Sequence, residues 1–337
     1  MKFGAVPLSE AEGAIMAHSL PVAGGRIRKG SVLQPRDIAA LQEAGHTHVT
    51  VAQLGPNDVA EDSAAQTLAN ALVPDPDTAG FKLAAAHTGR VNIYSDAVGV
   101  LELNCAAIEA ANRVDPMITV ATLPNWSVVT RHDRRKLAAT VKIISYAVQQ
   151  AALDQAAALA ERAMQMRPVI MKTAKLIVTR HSEGDKELGH QAIYQRLDAL
   201  NMTCDVVYVA HQKSAIVTEI AAAKEDLVLI LTASATSDSM DVAPEALRQA
   251  GGEVVRFGMP VDPGNLLFLG QIERKPVIGL PGCARSPALN GADWVLQRVV
   301  CGVEVGDADI AAMAVGGLLK ESPARPYPRE KDRTLRD

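Results

Sequence analysis

The second half of this chain predicts an α/β fold built on a parallel sheet, and three observations carry that prediction. Strand-type and helix-type runs alternate in order: Ala174 to Val178, Gly189 to Leu200, Cys204 to Val209, Lys213 to Ala223, and Leu227 to Leu231. Parallel strands need crossover connections, so the alternation implies three layers, with helices on both faces of the sheet. Val277 to Leu280 is a short continuous apolar run of the kind that forms a buried strand. Polar and Pro-Gly loops follow the strand runs, and in open α/β sheets ligands bind at the carboxyl ends of strands.

The first half reads as short strands and turns, a mixed and mostly β part. A helix is expected from Pro35 to Ala44, bounded by Gly30 and Gly45, with a strand after His46-Thr-His-Val-Thr-Val51 begins. Val59 to Leu72 has an amphipathic helical pattern and ends at the Pro74 to Thr78 turn. His87 to Tyr94 and Val98 to Leu103 suggest two strands, Ala106 to Val114 a helix, and Lys136 to Ile144 a further strand. The alanine-rich run Ala151 to Met166 is expected to be one helix bridging to a second domain near Arg167-Pro168. The expected divisions are 1–75, 76–167 and 168–305. Glu321 to Asp337, charge-dense and with three prolines, is expected to be a disordered tail.

Composition narrows the classes. A chain of 337 residues with 48% hydrophobic content buries a sizeable core and is expected to form about two domains. A net charge of −4 and only 3% aromatics give no basic, aromatic-interleaved stripe, so no nucleic-acid partner is expected. Cys105, Cys204, Cys283 and Cys301 lack Cys-x-x-Cys spacing, which argues against a zinc site or a disulfide framework. The first twenty residues carry no signal pattern and no run reaches membrane-spanning length, so a cytoplasmic protein without a membrane partner is expected.

The candidate site lies around two Pro-Gly turns, Pro263-Gly264 and Pro281-Gly282. After the Val277 strand, the second turn is read as opening a helix with Ser286 as N-cap and Pro287 at its first position. Backbone N–H groups and the helix dipole would then cradle a phosphate, and Arg285 would add fixed positive charge. Asp238 and Asp241 stand three residues apart on the loop after the Leu227 strand. Together they suit Mg²⁺, which takes oxygen ligands and phosphate oxygens, although Asp241 before Val-Ala-Pro-Glu is equally a helix N-cap. Ser234, Thr236 and Ser237 offer hydroxyls, and Asn265 is suited either to a ligand edge or to its own turn. Cys283 beside a turn is read as a small apolar filler rather than a nucleophile. His46 and His48 share one strand face, and Arg131 to Lys136 forms a basic cluster; both read as solvated surface. Thr88-Gly89-Arg90 reads as a turn.

The segments FGMPVDPGNLLFLG and KPVIGLPGCARSP resemble the end of the molybdopterin-binding domain of molybdenum-cofactor biosynthesis proteins, whose paired Pro-Gly loops line a pterin phosphate site. Leu229-Ile-Leu-Thr-Ala-Ser-Ala-Thr-Ser-Asp238-Ser-Met-Asp241 is similar to that family's Gly-Gly-Thr-Ser-x-Gly-Asp-x-Asp loop, and Lys175 to Arg180 to its first strand and loop. The resemblance covers about residues 168 to 305. Thr232, Ala233 and Ser237 replace the family's glycines, Cys283 stands where Asn is common, and Gly184-Asp185 comes several residues after Thr179 instead of directly behind it. Ala11 to His18 and Arg28 to Val51 resemble the N-terminal signature and accessory module of molybdopterin molybdenumtransferases.

The resemblance implies ligand contacts at Thr179, Ser234, Ala235, Thr236, Ser237, Pro263, Gly264, Asn265, Pro281, Gly282, Cys283, Arg285 and Ser286. Asp238 and Asp241 would be the catalytic, magnesium-holding pair. The expected cofactors are molybdopterin and Mg²⁺, the expected partners the pterin or its nucleotide form, molybdate, a nucleotidyltransferase and further copies of the chain. Three functions follow as alternatives: molybdenum insertion or cofactor maturation, non-catalytic carriage of molybdopterin, or hydrolysis of another phosphorylated nucleotide-type ligand on the same fold.

Overall fold

In the computed structural model, which describes residues 1–133, 135–182 and 190–321, the alternating run becomes six strands and their crossovers. They are β1 (Thr173–Arg180), α1 (His190–Ala199), β2 (Thr203–Ala210), α2 (Lys213–Ala222), β3 (Leu227–Leu231), α3 (Val242–Gln249), β4 (Glu253–Phe257), β5 (Phe268–Ile272), β6 (Lys275–Gly279) and α4 (Gly291–Val300). The sheet order is β2-β1-β3-β6-β5-β4. Strands β2, β1, β3 and β6 run parallel, while β5 pairs antiparallel with β6 and β4 antiparallel with β5. This is the α/β class the alternation predicts.

Burial explains the strand composition. All five residues of β3 are buried and apolar, and residues 174–179 of β1 are buried without alternation, Lys175 among them paired with Glu219 at 2.7 Å. One face packs Ile177, Val228, Ile230, Phe268 and Val277 against Ile216 and Ile220 of α2 and Ala243, Ala246 and Leu247 of α3. At the β6 end, the Phe268 ring lies so close to Gly279 that a Cβ there would stand 1.9 Å from it. Asp226 ties the start of β1 to that of β3, accepting the Lys172 and Thr173 N–H groups at 2.7 and 3.0 Å.

The chain divides into two units, the sheet just described belonging to Val98–Val100, Val128–Asp133 and the chain from Arg167 on. The other unit comprises Met1–Ala97, Leu101–Ser127 and Arg134–Met166. It holds a three-stranded antiparallel sheet (Lys2–Pro7, His48–Gln53, Ile15–Met16) packed by Leu8, Leu33 and Leu41 from loops and the helix Pro35–Glu43. A four-stranded antiparallel sheet follows, in the order Ile118–Thr122, Leu137–Ile143, Arg90–Ser95, Phe81–Leu83.

Two helix expectations are corrected here. The helix expected from Val59 starts at Glu61, because Asp58–Ala60 pairs as a strand with Ala147–Gln149. The bridging helix covers only Gln150–Leu159, and Met164–Pro168 is a strand. Every residue of that run is an adequate helix former, so nothing local ends it. Tertiary hydrogen bonds do: Arg162 turns into the left-handed region at φ 54° and donates to Ala71 O at 2.9 Å, and Ala163 O accepts from Asn104 N at 2.9 Å. The expected disordered tail lies outside the described residues apart from Glu321, which ends a 3₁₀ turn, Leu319–Glu321.

Candidate functional site at the carboxyl ends of the parallel strands

Four loops leave the carboxyl ends of β1, β2, β3 and β6, and hydrogen bonds join them into one polar edge. Thr179, buried near the end of β1, accepts the Ala233 N–H at 2.8 Å and pairs with His211 Nδ1 at 2.8 Å. His211 directly follows β2, and its Nε2 lies 3.3 Å from the hydroxyl of Ser234, an exposed residue on the loop after β3. The His181 ring meets the His211 ring edge-on at 5.0 Å. Burial and the neighbouring His181 hold His211 below the ordinary histidine pKa, against the opposing pull of Asp241, so the ring is neutral at physiological pH.

The β3 loop folds back on itself. Thr232 and Thr236, both buried, place their hydroxyls 3.3 Å apart. Asp241 caps α3, accepting Val242 N–H at 2.7 Å on one oxygen and Ser237 N–H at 3.0 Å on the other. Burial raises its pKa, but the Ser237 and Val242 donors and nearby His211 outweigh that and leave it below the usual carboxylate value. Asp238 is exposed and accepts the Met240 N–H at 2.7 Å. Ala235 and Ser237 are exposed on the same loop.

The β6 loop differs from its expectation. Pro281 leads into a four-residue 3₁₀ turn, Gly282–Arg285, and Ser286 is the C-cap of that turn, not the N-cap of a helix. α4 begins only at Gly291, capped by Asn290 and Asp293. The cause is Arg196 of α1, whose guanidinium pairs with Asp293 and donates to the carbonyls of Ala284, Ser286 and Ala288, tying the 3₁₀ turn and the bend after it in a non-helical course. The helix-dipole cradle read at Ser286 is therefore absent, since no α-helix starts there. Arg285 does reach the edge: it donates to Thr232 O at 2.6 Å, and burial lowers its pKa. Gly282 is exposed, Cys283 half-buried.

The first Pro-Gly turn sits elsewhere. Pro263 and Gly264 are buried against the first turn of α4, where Pro263 O accepts the Gly291 N–H at 2.8 Å and a Cβ on Gly264 would stand 2.7 Å from that nitrogen. Asn265 is exposed, and its carbonyl accepts the Met259 N–H at 3.0 Å. The two Pro-Gly turns are thus linked through α4 and the Arg196–Asp293 pair, with no direct hydrogen bond between them among the described residues. Asp185 lies outside the described residues.

Asp238 and Asp241 share a loop, but among the described residues no cluster of three or more His, Cys, Asp or Glu side chains is arranged for a metal ion. With both Asp241 oxygens already accepting N–H groups, the pair fits Mg²⁺ only in the mode where a bound phosphate supplies most of the oxygens. His211, Arg196 and Asp293 were not among the sequence candidates. The position of His211 directly after a parallel strand was the available signal; Arg196 and Asp293 sit inside helices and carry none.

Comparisons with known proteins add little beyond this. Residues 5–53 match a family described as a domain of unknown function (DUF8806), a stretch that spans the three-stranded antiparallel sheet of the first unit. No curated protein matches the sequence. Among solved structures, the chain is similar to the molybdopterin biosynthesis MoeA protein from Pyrococcus horikosii at 13% identity, over 89% of this chain and 75% of that one, with a TM-score of 0.33. A likeness that distant carries no assignment. Among the described residues, no helix is long and apolar enough to cross a membrane.

Proposed function

We propose that the chain is a molybdopterin-binding protein of molybdenum-cofactor biosynthesis, acting in molybdenum insertion or in maturation of the cofactor. The observation that carries this reading is the joining of four strand-end loops through Thr179, His211, Ser234 and Arg285. Such an edge gathers neutral donors and one guanidinium where an α/β sheet binds a phosphorylated ligand. When bound, the pterin supplies the dithiolene that takes up molybdenum. The chain's own share is to hold the phosphate, orient the ring system, and, through Asp238 with Asp241, offset phosphate charge with Mg²⁺.

One observation favours carriage over insertion: Asp241 commits both oxygens to N–H groups of its own loop and helix, which leaves Asp238 as the less engaged carboxylate. A carrier would pass the pterin to a nucleotidyltransferase or a molybdoenzyme, and self-association of the chain belongs to the same proposal. Isothermal titration with molybdopterin, with and without Mg²⁺, alongside a molybdate-dependent conversion assay, separates the cases. Binding with turnover supports insertion. Binding without turnover supports carriage. Absence of binding refutes the pterin reading and leaves hydrolysis or binding of another phosphorylated ligand.

A further inference from the structure

We infer that His211 is a further ligand-contacting residue of this edge, a fixed Nε2–H donor that acts with the Ser234 hydroxyl on an ionised phosphate oxygen. The inference deepens the proposed function and rests on its placement of a ligand phosphate at the strand ends. It starts from Thr179, buried on β1. A hydroxyl has one hydrogen to give and two lone pairs. The Thr179 oxygen already accepts the Ala233 N–H, and among the described residues His211 Nδ1 is the acceptor within reach of its hydrogen. That hydrogen therefore goes to Nδ1.

A neutral imidazole that accepts at Nδ1 carries its proton at Nε2. The Nε2–H faces the Ser234 oxygen at 3.3 Å, a long contact at an exposed residue. An anion entering between them would gain two donors, since the serine hydroxyl rotates freely. The backbone of His211 is fixed by its N–H donating to Arg180 O at 2.8 Å, and the ring is held by Thr179 at Nδ1 and by His181 packed edge-on against the imidazole. The charged and titratable groups around it are His181 and Arg180 from the end of β1, Lys213 at the start of α2, and Asp241 at the start of α3. The Arg180 guanidinium stands over the Tyr208 ring at 3.6 Å, and the Asp241 oxygens are turned to Ser237 and Val242.

The test uses the full chain with ¹⁵N-labelled histidine and inorganic phosphate or pyrophosphate as the probe. His211 signals, assigned by their loss in His211→Phe, are expected to show the Nε2–H tautomer and to shift on adding phosphate. His211→Phe and His211→Asn are expected to weaken phosphate affinity about tenfold, the effect of losing one good hydrogen bond to a charged group. His211→Gln, whose amide nitrogen reaches the Nε2 position, is expected to retain more affinity than His211→Asn. A Nδ1–H tautomer, or equal affinity in wild type and His211→Phe, overturns the inference, and so does equal affinity in the Gln and Asn variants. If phosphate moves the His211 signals but molybdopterin does not bind, the pterin reading fails while the role of His211 stands. Molybdopterin binding that leaves the His211 signals unchanged has the reverse meaning.

Discussion

Asp238 and Asp241 differ in ways their spacing does not reveal. Asp241 is a helix cap with two N–H donors, whereas Asp238 is exposed with one. If Mg²⁺ binds with a phosphate at this loop, Asp238→Asn combined with Asp241→Asn will remove the Mg²⁺-dependent part of molybdopterin affinity and leave the circular dichroism spectrum unchanged, because Asn also caps helices. Asp241→Ala, which cannot cap, should lower stability by about 1 kcal/mol in urea unfolding. Unaltered Mg²⁺ dependence in the double variant would remove the metal role. Asp226 shows how a carboxylate far from the site acts on the fold. The Lys172 and Thr173 N–H groups hold its pKa below the ordinary 3.8 against weak desolvation. A group depressed on folding stabilises the protein above its unfolded pKa and loses that contribution as pH falls through the folded value. Wild type is therefore expected to be more stable than Asp226→Asn at pH 7, and the difference to shrink as pH falls below about 4.

Local pattern located the strands and helices from Thr173 to Leu231 and the strand at Val277, because the central strands are mostly apolar and their crossovers have helical periodicity, whereas the antiparallel edge strands β4 and β5 were not anticipated. β3, predicted from Leu227 to Leu231, has those bounds. Element ends were less legible. The run from Ala151 to Met166 contains only helix-compatible residues, yet hydrogen bonds to Asn104 and Ala71 end the helix at Leu159. Likewise Ser286-Pro287 has the composition of a helix start, and Arg196 from α1 overrides it by taking three carbonyls of that segment. Arg196→Met strands the Asp293 carboxylate in a buried position and is expected to cost about 3–5 kcal/mol in chemical denaturation. A loss under 1 kcal/mol would show that the pair does not organise the loop. At the other side of the sheet, Gly279→Ala drives a methyl group into the Phe268 ring. A destabilisation of about 1–3 kcal/mol is expected, and Gly279→Ala with Phe268→Leu should recover part of it.

For the whole molecule, ligand binding and stability are linked: molybdopterin at a hundred times its dissociation constant should stabilise the native state by about 2.7 kcal/mol and raise the melting temperature accordingly. A melting curve unmoved by saturating molybdopterin would count against the proposed function, and sedimentation velocity on the same samples will report whether the chain self-associates. The sequence by itself determined the α/β class, the alternation of strands and helices from Thr173 to Leu231 together with the strand at Val277, and the presence of polar loops at strand ends. These depend on neighbours a few residues apart, through periodicity, propensity and turn chemistry. Only the tertiary structure decided which loops meet. Thr179, His211 and Ser234 are brought together by the register of β1 between β2 and β3, and Arg196 finds Asp293 across 97 positions of sequence. Such pairings are set by which strands lie side by side and by the packing of helices across them, and no local window of residues encodes that choice.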